Sequence, residues 1–212
     1  MLVWFEKHGR EYPWRSSVNP FHVLTAEVML QRTRADQVEP VYVEMTETVS
    51  SPAGVLGAGE DVIQEWFGRL GLRWRAEKYL SLCRELEAKY GGEVPDEREA
   101  LLELPGVGQY AAGSVLTNAF GKPTGVLDSN ILRVYARYFG LEFDDGDRRR
   151  QQVFEWSERL TPDDAVRGRA YNLALVDFGA AVCTPSSPLC GECPLAGRCS
   201  YAGSARDDAP SS

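Results

Sequence analysis

The 212-residue chain reads as an all-α protein. Three observations carry that reading: apolar residues recur at intervals of three and four, no series of period-2 alternations marks strands, and several periodic stretches stop at glycine. Residues 21–32 place Val23, Leu24, Val28 and Leu30 on helical spacing. Residues 75–90 repeat with Tyr79, Leu80, Cys83 and Leu86 and stop at Gly91-Gly92, because glycine closes a helix without a Cβ clash. Pro95-Asp96 opens a short helix running through Leu102, and residues 110–120, rich in alanine and other small side chains, close at Gly121. Asp128 or Ser129 caps a helix over 131–139. Helices over 148–160 and 169–182 follow. From Ala202 onward Ser, Asp, Ala and Pro dominate, which predicts an unstructured tail over 202–212.

A chain of this length buries a substantial core without disulfides. Its formal net charge of −8 weighs against a nucleic-acid partner, since affinity for phosphate comes from Lys and Arg. The average conceals a local bias, however. Arg32, Arg34, Arg73, Arg75, Lys78, Arg133 and Arg137 stand near the motifs described below, and the acidic run 142–147 lies elsewhere. No run of about 18 apolar residues could span a bilayer. The start, Met1-Leu2-Val3-Trp4-Phe5-Glu6-Lys7, lacks the long apolar stretch of a secretory signal. The expectation is a cytoplasmic, nucleoid-associated monomer without membrane contact.

Four of the five cysteines crowd into one stretch: Cys183, six residues, Cys190, two residues, Cys193, five residues, Cys199. In a reducing compartment such crowding points to metal rather than disulfides. Pro185, Pro188, Gly191, Pro194 and Gly197 supply the turns that let four thiolates reach one centre. Soft thiolates suit an iron–sulfur cluster or tetrahedral zinc. Zinc ribbons usually bring two Cys-x-x-Cys knuckles on separate loops, whereas here one knuckle sits in a single compact loop, which favours iron–sulfur. Cys83 reads as an ordinary buried thiol.

Leu104-Pro105-Gly106-Val107-Gly108 joins two helices. Its glycines allow a sharp turn and close approach to another chain, and the next helix offers unpaired amides at its N-terminus, a phosphate site. Taken alone, such a segment is equally a plain helix connection.

Together with Asp128 some twenty residues on and the four-cysteine loop, this hairpin resembles the helix–hairpin–helix superfamily of DNA glycosylases that includes endonuclease III, MutY and the thymine-mismatch enzymes. The resemblance runs from about Phe5 to Tyr201. It implies a two-lobed fold, with a six-helix lobe over 21–127 and a [4Fe-4S] cluster lobe from 1–20 and 128–201. It further implies that the partner is double-stranded DNA containing a mismatched or damaged base, flipped into the cleft between the lobes. Leu104, Gly106, Val107 and Gly108 would bind the DNA backbone, and Cys183, Cys190, Cys193 and Cys199 would hold the cluster.

Val126-Leu127-Asp128-Ser129-Asn130 is similar to the family segment bearing the essential aspartate. Breaking an N-glycosidic bond builds positive charge on the deoxyribose, and a carboxylate there stabilises it or steers water. Asp128 is also a helix cap, a compatible role. Tyr110 stands where bifunctional relatives carry the lysine that forms a Schiff base, which tyrosine cannot do, so a monofunctional enzyme without strong lyase activity is expected. Glu27, within Ala26-Glu27-Val28-Met29-Leu30-Gln31-Arg32-Thr33, matches a helix whose glutamate acts on the base in MutY and the mismatch enzymes. Desolvation there would raise its pKa and suit it to protonate or hydrogen-bond the departing base. Gln31 and Arg32 resemble the wedge that fills the gap left by the flipped base. Tyr12-Pro13-Trp14-Arg15 is shared with MutY and the mismatch enzymes; pocket lining and packing are equal readings of Trp14. Gly71-Leu72-Arg73-Trp74-Arg75-Ala76 departs from the MutY pattern, and Gln31-Arg32-Thr33 is nearer the mismatch enzymes. The expected substrate is therefore thymine or uracil opposite guanine. Adenine opposite 8-oxoguanine or guanine is the alternative, and a non-catalytic DNA-binding module is an alternative of another class.

Overall fold

The structure, a computed structural model, describes residues 1–143 and 151–207. Residues 144–150, which include most of the acidic run and the expected start of the helix at Arg148, and residues 208–212, the end of the expected tail, lie outside it. Among the described residues every regular element is helical, and no helix is long and apolar enough to cross a membrane. The chain divides into two compact units, residues 11–122 and residues 1–10 with 123–212. The boundaries thus fall at 10/11 and 122/123, not at 20/21 and 127/128. Trp14 explains the first shift: it is buried and lies edge-on to Tyr42, inside the core of the first unit.

That unit contains, after the single short turn α2 (Pro13–Ser16), helices α3 (Pro20–Leu30), α4 (Ala35–Thr48), α5 (Pro52–Ala58), α6 (Glu60–Arg69), α7 (Arg73–Tyr90), α8 (Arg98–Glu103) and α9 (Gln109–Ala119). Of these, α4, α5 and α6 went unread in the sequence. Helix α3 is the axis of the unit, packed by α2, α4 and α9. Asn19 starts it, its Oδ1 accepting from the Phe21 and His22 amides at 2.9 and 3.4 Å, with Pro20 at the first position. Leu24, Ala26 and Met29 have no exposed surface, so α3 is held by burial on all sides rather than by one amphipathic face. Helix α6 buries Ile63, Trp66 and Phe67, at helical spacing, in the same core. Helix α7 ends at Gly91 with φ 60°, the left-handed stop expected there. Cys83 has no exposed surface, and burial pushes its thiol up to about 12, an inert core residue.

The second unit is assembled from both chain ends: α1 (Leu2–His8), α10 (Ser129–Phe139), α11 (Gln151–Leu160), α12 (Ala165–Ala181) and α13 (Ser200–Asp207). Helix α12 packs against α1 and α10. Arg10 fastens the N-terminal segment, its Nε donating to Asp177 at 2.7 Å and its backbone amide at 2.9 Å, with Asp177 1 % exposed. Helices α10 and α12 meet at Gly179, where a Cβ would stand 2.8 Å from Asn130 Cβ, so glycine is required for that approach. The tail expected to be unstructured from Ala202 is helical through Asp207, a correction with a packing cause. Ala202 is buried, α13 lies on α10, and the Tyr201 ring receives the Arg137 guanidinium at 4.7 Å.

Candidate active site and cluster loop

In the first unit the hairpin lies between α8 and α9 as expected. Gly106 takes φ 88°, and Gly108 caps α9 without any side-chain acceptor, so the first amides of α9 have no capping side chain. Leu104 and Val107 are buried and anchor the turn, while Gly108 is exposed. Lys78 runs alongside, its Cε 3.4 Å from where a Gly106 Cβ would be. Gln31 is tied here rather than projecting alone: its Nε2 donates to the Gly106 carbonyl at 3.0 Å, joining the end of α3 to the hairpin. Arg75, 5 % exposed, closes the same end of α3 by donating to the Val28 and Gln31 carbonyls at 3.1 and 2.6 Å. Arg32 follows, exposed and with φ 64°. A non-glycine residue held left-handed is strained, a state that recurs at binding sites. A small cavity lined by Val28, Gln31, Trp74, Arg75, Lys78 and Gly106 adjoins it.

Glu27 is 6 % exposed on α3, not on a solvated face. Ser114 Oγ, on α9, donates to Glu27 Oε1 at 2.5 Å, and Asn118 Nδ2 donates to Ser114 Oγ at 2.9 Å. Tyr110, Ser114 and Asn118 form an i, i+4, i+8 stripe on α9, and Tyr110 lies half-buried in its first turn. Sequence reasoning named Tyr110 and missed the other two, which in an alanine-rich run read as packing. Trp14 packs beneath Tyr12, ring centroids 4.7 Å apart, and is buried.

In the second unit Asp128 caps α10. Its Oδ1 accepts from the Ile131 amide at 2.7 Å and its Oδ2 from Asn130 Nδ2 at 3.1 Å. Burial pushes the Asp128 carboxyl above its ordinary value, against these hydrogen bonds and the attraction of Arg133. Arg133 then ties this corner to the cysteine loop. It donates to Asn130 Oδ1 at 2.9 Å, to the Gly179 carbonyl at 2.7 Å and, through Nε, to the Cys183 carbonyl at 2.8 Å. Arg137, one turn on, donates to the Thr184 and Pro185 carbonyls at 2.6 and 2.7 Å. Three of the basic residues grouped near the motifs, Arg75, Arg133 and Arg137, are therefore bound to backbone carbonyls of this chain.

Cys183, Cys190, Cys193 and Cys199 are unpaired with one another by disulfides and line one cavity with Arg137 and Tyr201. Among the described residues no three His, Cys, Asp or Glu side chains converge on a point that would hold a single metal ion. Four thiols lining a shared space are a soft donor set of the kind that holds an iron–sulfur cluster.

The loop, residues 183–199, matches the family described as the iron–sulfur binding domain of endonuclease III. The chain is 35% identical over 207 residues to a thymine-DNA glycosylase of Aeropyrum pernix, covering 95% of this chain and 92% of that protein. To a thymine/uracil-DNA glycosylase of Methanothermobacter thermautotrophicus it is 34% identical over 202 residues, covering 95% and 90%. A human adenine DNA glycosylase is 33% identical over 94% of this chain, but only 38% of its own length is covered. Among solved structures, that of a thermostable thymine-DNA glycosylase superimposes with a TM-score of 0.89 at 33% identity, over 96% of this chain and 93% of that one.

Proposed function

The chain belongs to the endonuclease III and MutY group of helix–hairpin–helix DNA glycosylases, and from that premise we propose that it hydrolyses the N-glycosidic bond of thymine or uracil opposite guanine. The observation that carries the choice of base is the likeness to thymine and thymine/uracil enzymes, 35% and 34% identical over nine-tenths or more of each chain. Adenine removal, the second reading, rests on the 33% identity to the human adenine enzyme.

The exposed glycine turn and the open N-terminus of α9 receive backbone phosphate, with Lys78 beside them. Arg32, exposed on its strained turn, occupies the gap in the duplex when the nucleotide is flipped. As the glycosidic bond stretches, the deoxyribose gains positive charge. The Asp128 carboxylate stabilises that charge and directs water to the sugar. Glu27 donates a proton or a hydrogen bond to the departing base. Tyr110 holds the place of a Schiff-base lysine without its chemistry, so the product is an intact strand with an abasic site. Cys183, Cys190, Cys193 and Cys199 hold a [4Fe-4S] cluster. When bound, it supplies the iron–thiolate bonds that fasten the loop; the reaction falls to side chains elsewhere.

The test is incubation with duplexes bearing T·G, U·G, A·G, A·8-oxoguanine and oxidised pyrimidines, each with and without alkali. Release from T·G and U·G, with strand scission only after alkali, is expected. Release from the adenine duplexes alone would defeat the choice of base, and a borohydride-trapped adduct would defeat monofunctional action. A DNA-binding module without chemistry would release nothing, and Asp128→Asn would change nothing.

A further inference from the structure

We infer that Ser114 and Asn118 are positioning residues for Glu27, orienting its carboxyl and stabilising the charge it acquires as the base leaves. The inference rests on the reading of Glu27 as the acid of the reaction. Its geometry is fixed by three atoms. Asn118 Nδ2 donates to Ser114 Oγ at 2.9 Å, which leaves the single hydroxyl hydrogen of Ser114 directed at Glu27 Oε1, 2.5 Å away. Oε1 is thereby the accepting oxygen, and an acid proton on this carboxyl resides on Oε2.

The arrangement carries an anomaly. Asn118 Oδ1 is buried and has no hydrogen-bond partner among the described residues. Buried polar atoms are normally satisfied, so an amide that leaves one half unpaired calls for an explanation. Turning the amide over would give Oδ1 a donor in Ser114 but would draw the hydroxyl hydrogen away from Glu27. The observed orientation keeps that hydrogen on the carboxyl.

The consequence falls on the chemical step. The C1′–N bond breaks with its electron pair moving to the base, the Oε2–H bond breaks as its proton passes to the base, and Glu27 is left as a carboxylate. A hydroxyl donating to a neutral carboxyl makes an ordinary hydrogen bond; donating to a carboxylate, it makes a charge-assisted one, roughly twice as strong. Ser114 therefore stabilises the transition state more than the bound substrate, which accelerates chemistry without tightening binding.

The test uses the full chain with its cluster and a T·G duplex under single-turnover conditions. Ser114→Ala is expected to slow base release about tenfold with unchanged duplex Kd, and Ser114→Thr, which keeps the hydroxyl, to restore most of the rate. Combined with Glu27→Gln, Ser114→Ala is expected to cause no further loss, because the group it serves is gone. A wild-type rate for Ser114→Ala, or an equal loss with and without Glu27, would overturn the proposal. Should Ser114→Ala fail to fold by its melting curve, Asn118→Ala gives the same comparison with a smaller loss, and additivity there is equally adverse. If Glu27→Gln itself releases base at the wild-type rate, the role of Glu27 falls and this inference with it. If Glu27→Gln is slow while the Ser114 and Asn118 variants are not, this inference falls alone.

Discussion

Replacing Asp128 with asparagine separates its chemical role from its structural one, because asparagine is as good a helix cap. In Asp128→Asn the new Oδ1 keeps the Ile131 amide that Asp128 holds at 2.7 Å. The new Nδ2 then faces Asn130 Nδ2, which donates to Asp128 Oδ2 at 3.1 Å in the native protein. Asn130 is not free to turn over, since its Oδ1 accepts from Arg133 at 2.9 Å. Turning over the new amide instead would forfeit the cap. One hydrogen bond is lost on either path, about 1 kcal/mol. Against it stands relief of the dehydrated charge that burial imposes on Asp128. A carboxyl with a raised folded pKa contributes stability below the ordinary 3.8 and loses it as pH rises through the folded value. At neutral pH the native charge is therefore a burden, and its removal offsets the lost bond. The melting temperature should move by no more than about 2–4 °C, the equivalent of about 1 kcal/mol in a chain of this size. Base release should fall on the order of 10³-fold. Single-turnover assays with alkaline work-up, beside thermal melts, measure both. Release within tenfold of wild type, or a much larger drop in melting temperature, would refute the reasoning. In the native enzyme, release should decline on acidification through a pKa above the ordinary 3.8, as the working carboxylate takes up its proton.

Gly106→Ala forces a Cβ into φ 88°, costing about 1–2 kcal/mol by melting, and should weaken binding to undamaged duplex in a gel-shift titration. Unchanged affinity would remove the hairpin from the DNA interface. Arg137→Leu strips the donors from the Thr184 and Pro185 carbonyls, a loss of about 2–3 kcal/mol, and should lower the temperature at which the cluster's visible absorbance bleaches. Tyr110→Lys places an amine in the first turn of α9 and should make a borohydride-trapped DNA adduct detectable on gels where the native enzyme gives none.

Much of the fold was legible because its signals are local. The helix over 75–90 announced its end at Gly91, and the α9 segment its start at the glycine hairpin. Helices α4 and α5 went unread for the same reason in reverse. Pro40 interrupts α4 from within. Ser51-Pro52, whose Ser51 Oγ accepts from the Gly54 amide at 3.2 Å, resembles a turn as much as a helix start. Ile63, Trp66 and Phe67 were a readable helical triplet in α6. The site divides likewise. Asp128, Glu27 and the cysteines were named through short motifs. Ser114 reaches Glu27 across 87 residues of sequence, and in an alanine-rich run it reads as mere packing. Arg133 and Arg137 misled for a physical reason: a guanidinium binds carbonyl oxygens as well as phosphate, and nothing local in sequence distinguishes the two.

The pairing of Arg10 with Asp177, 167 positions apart, joins the first and last parts of the chain to be synthesised. Residues 11–122, one compact unit, are all translated before Pro123. The N-terminal helix α1, first to emerge, has no α12 to pack on until nearly the whole chain is made. Through that interval its apolar side chains wait, a window in which a chaperone or an aggregate competes for them. The Gly106–Gly108 hairpin is likewise translated before Asp128, so a chain truncated between them carries the first without the second.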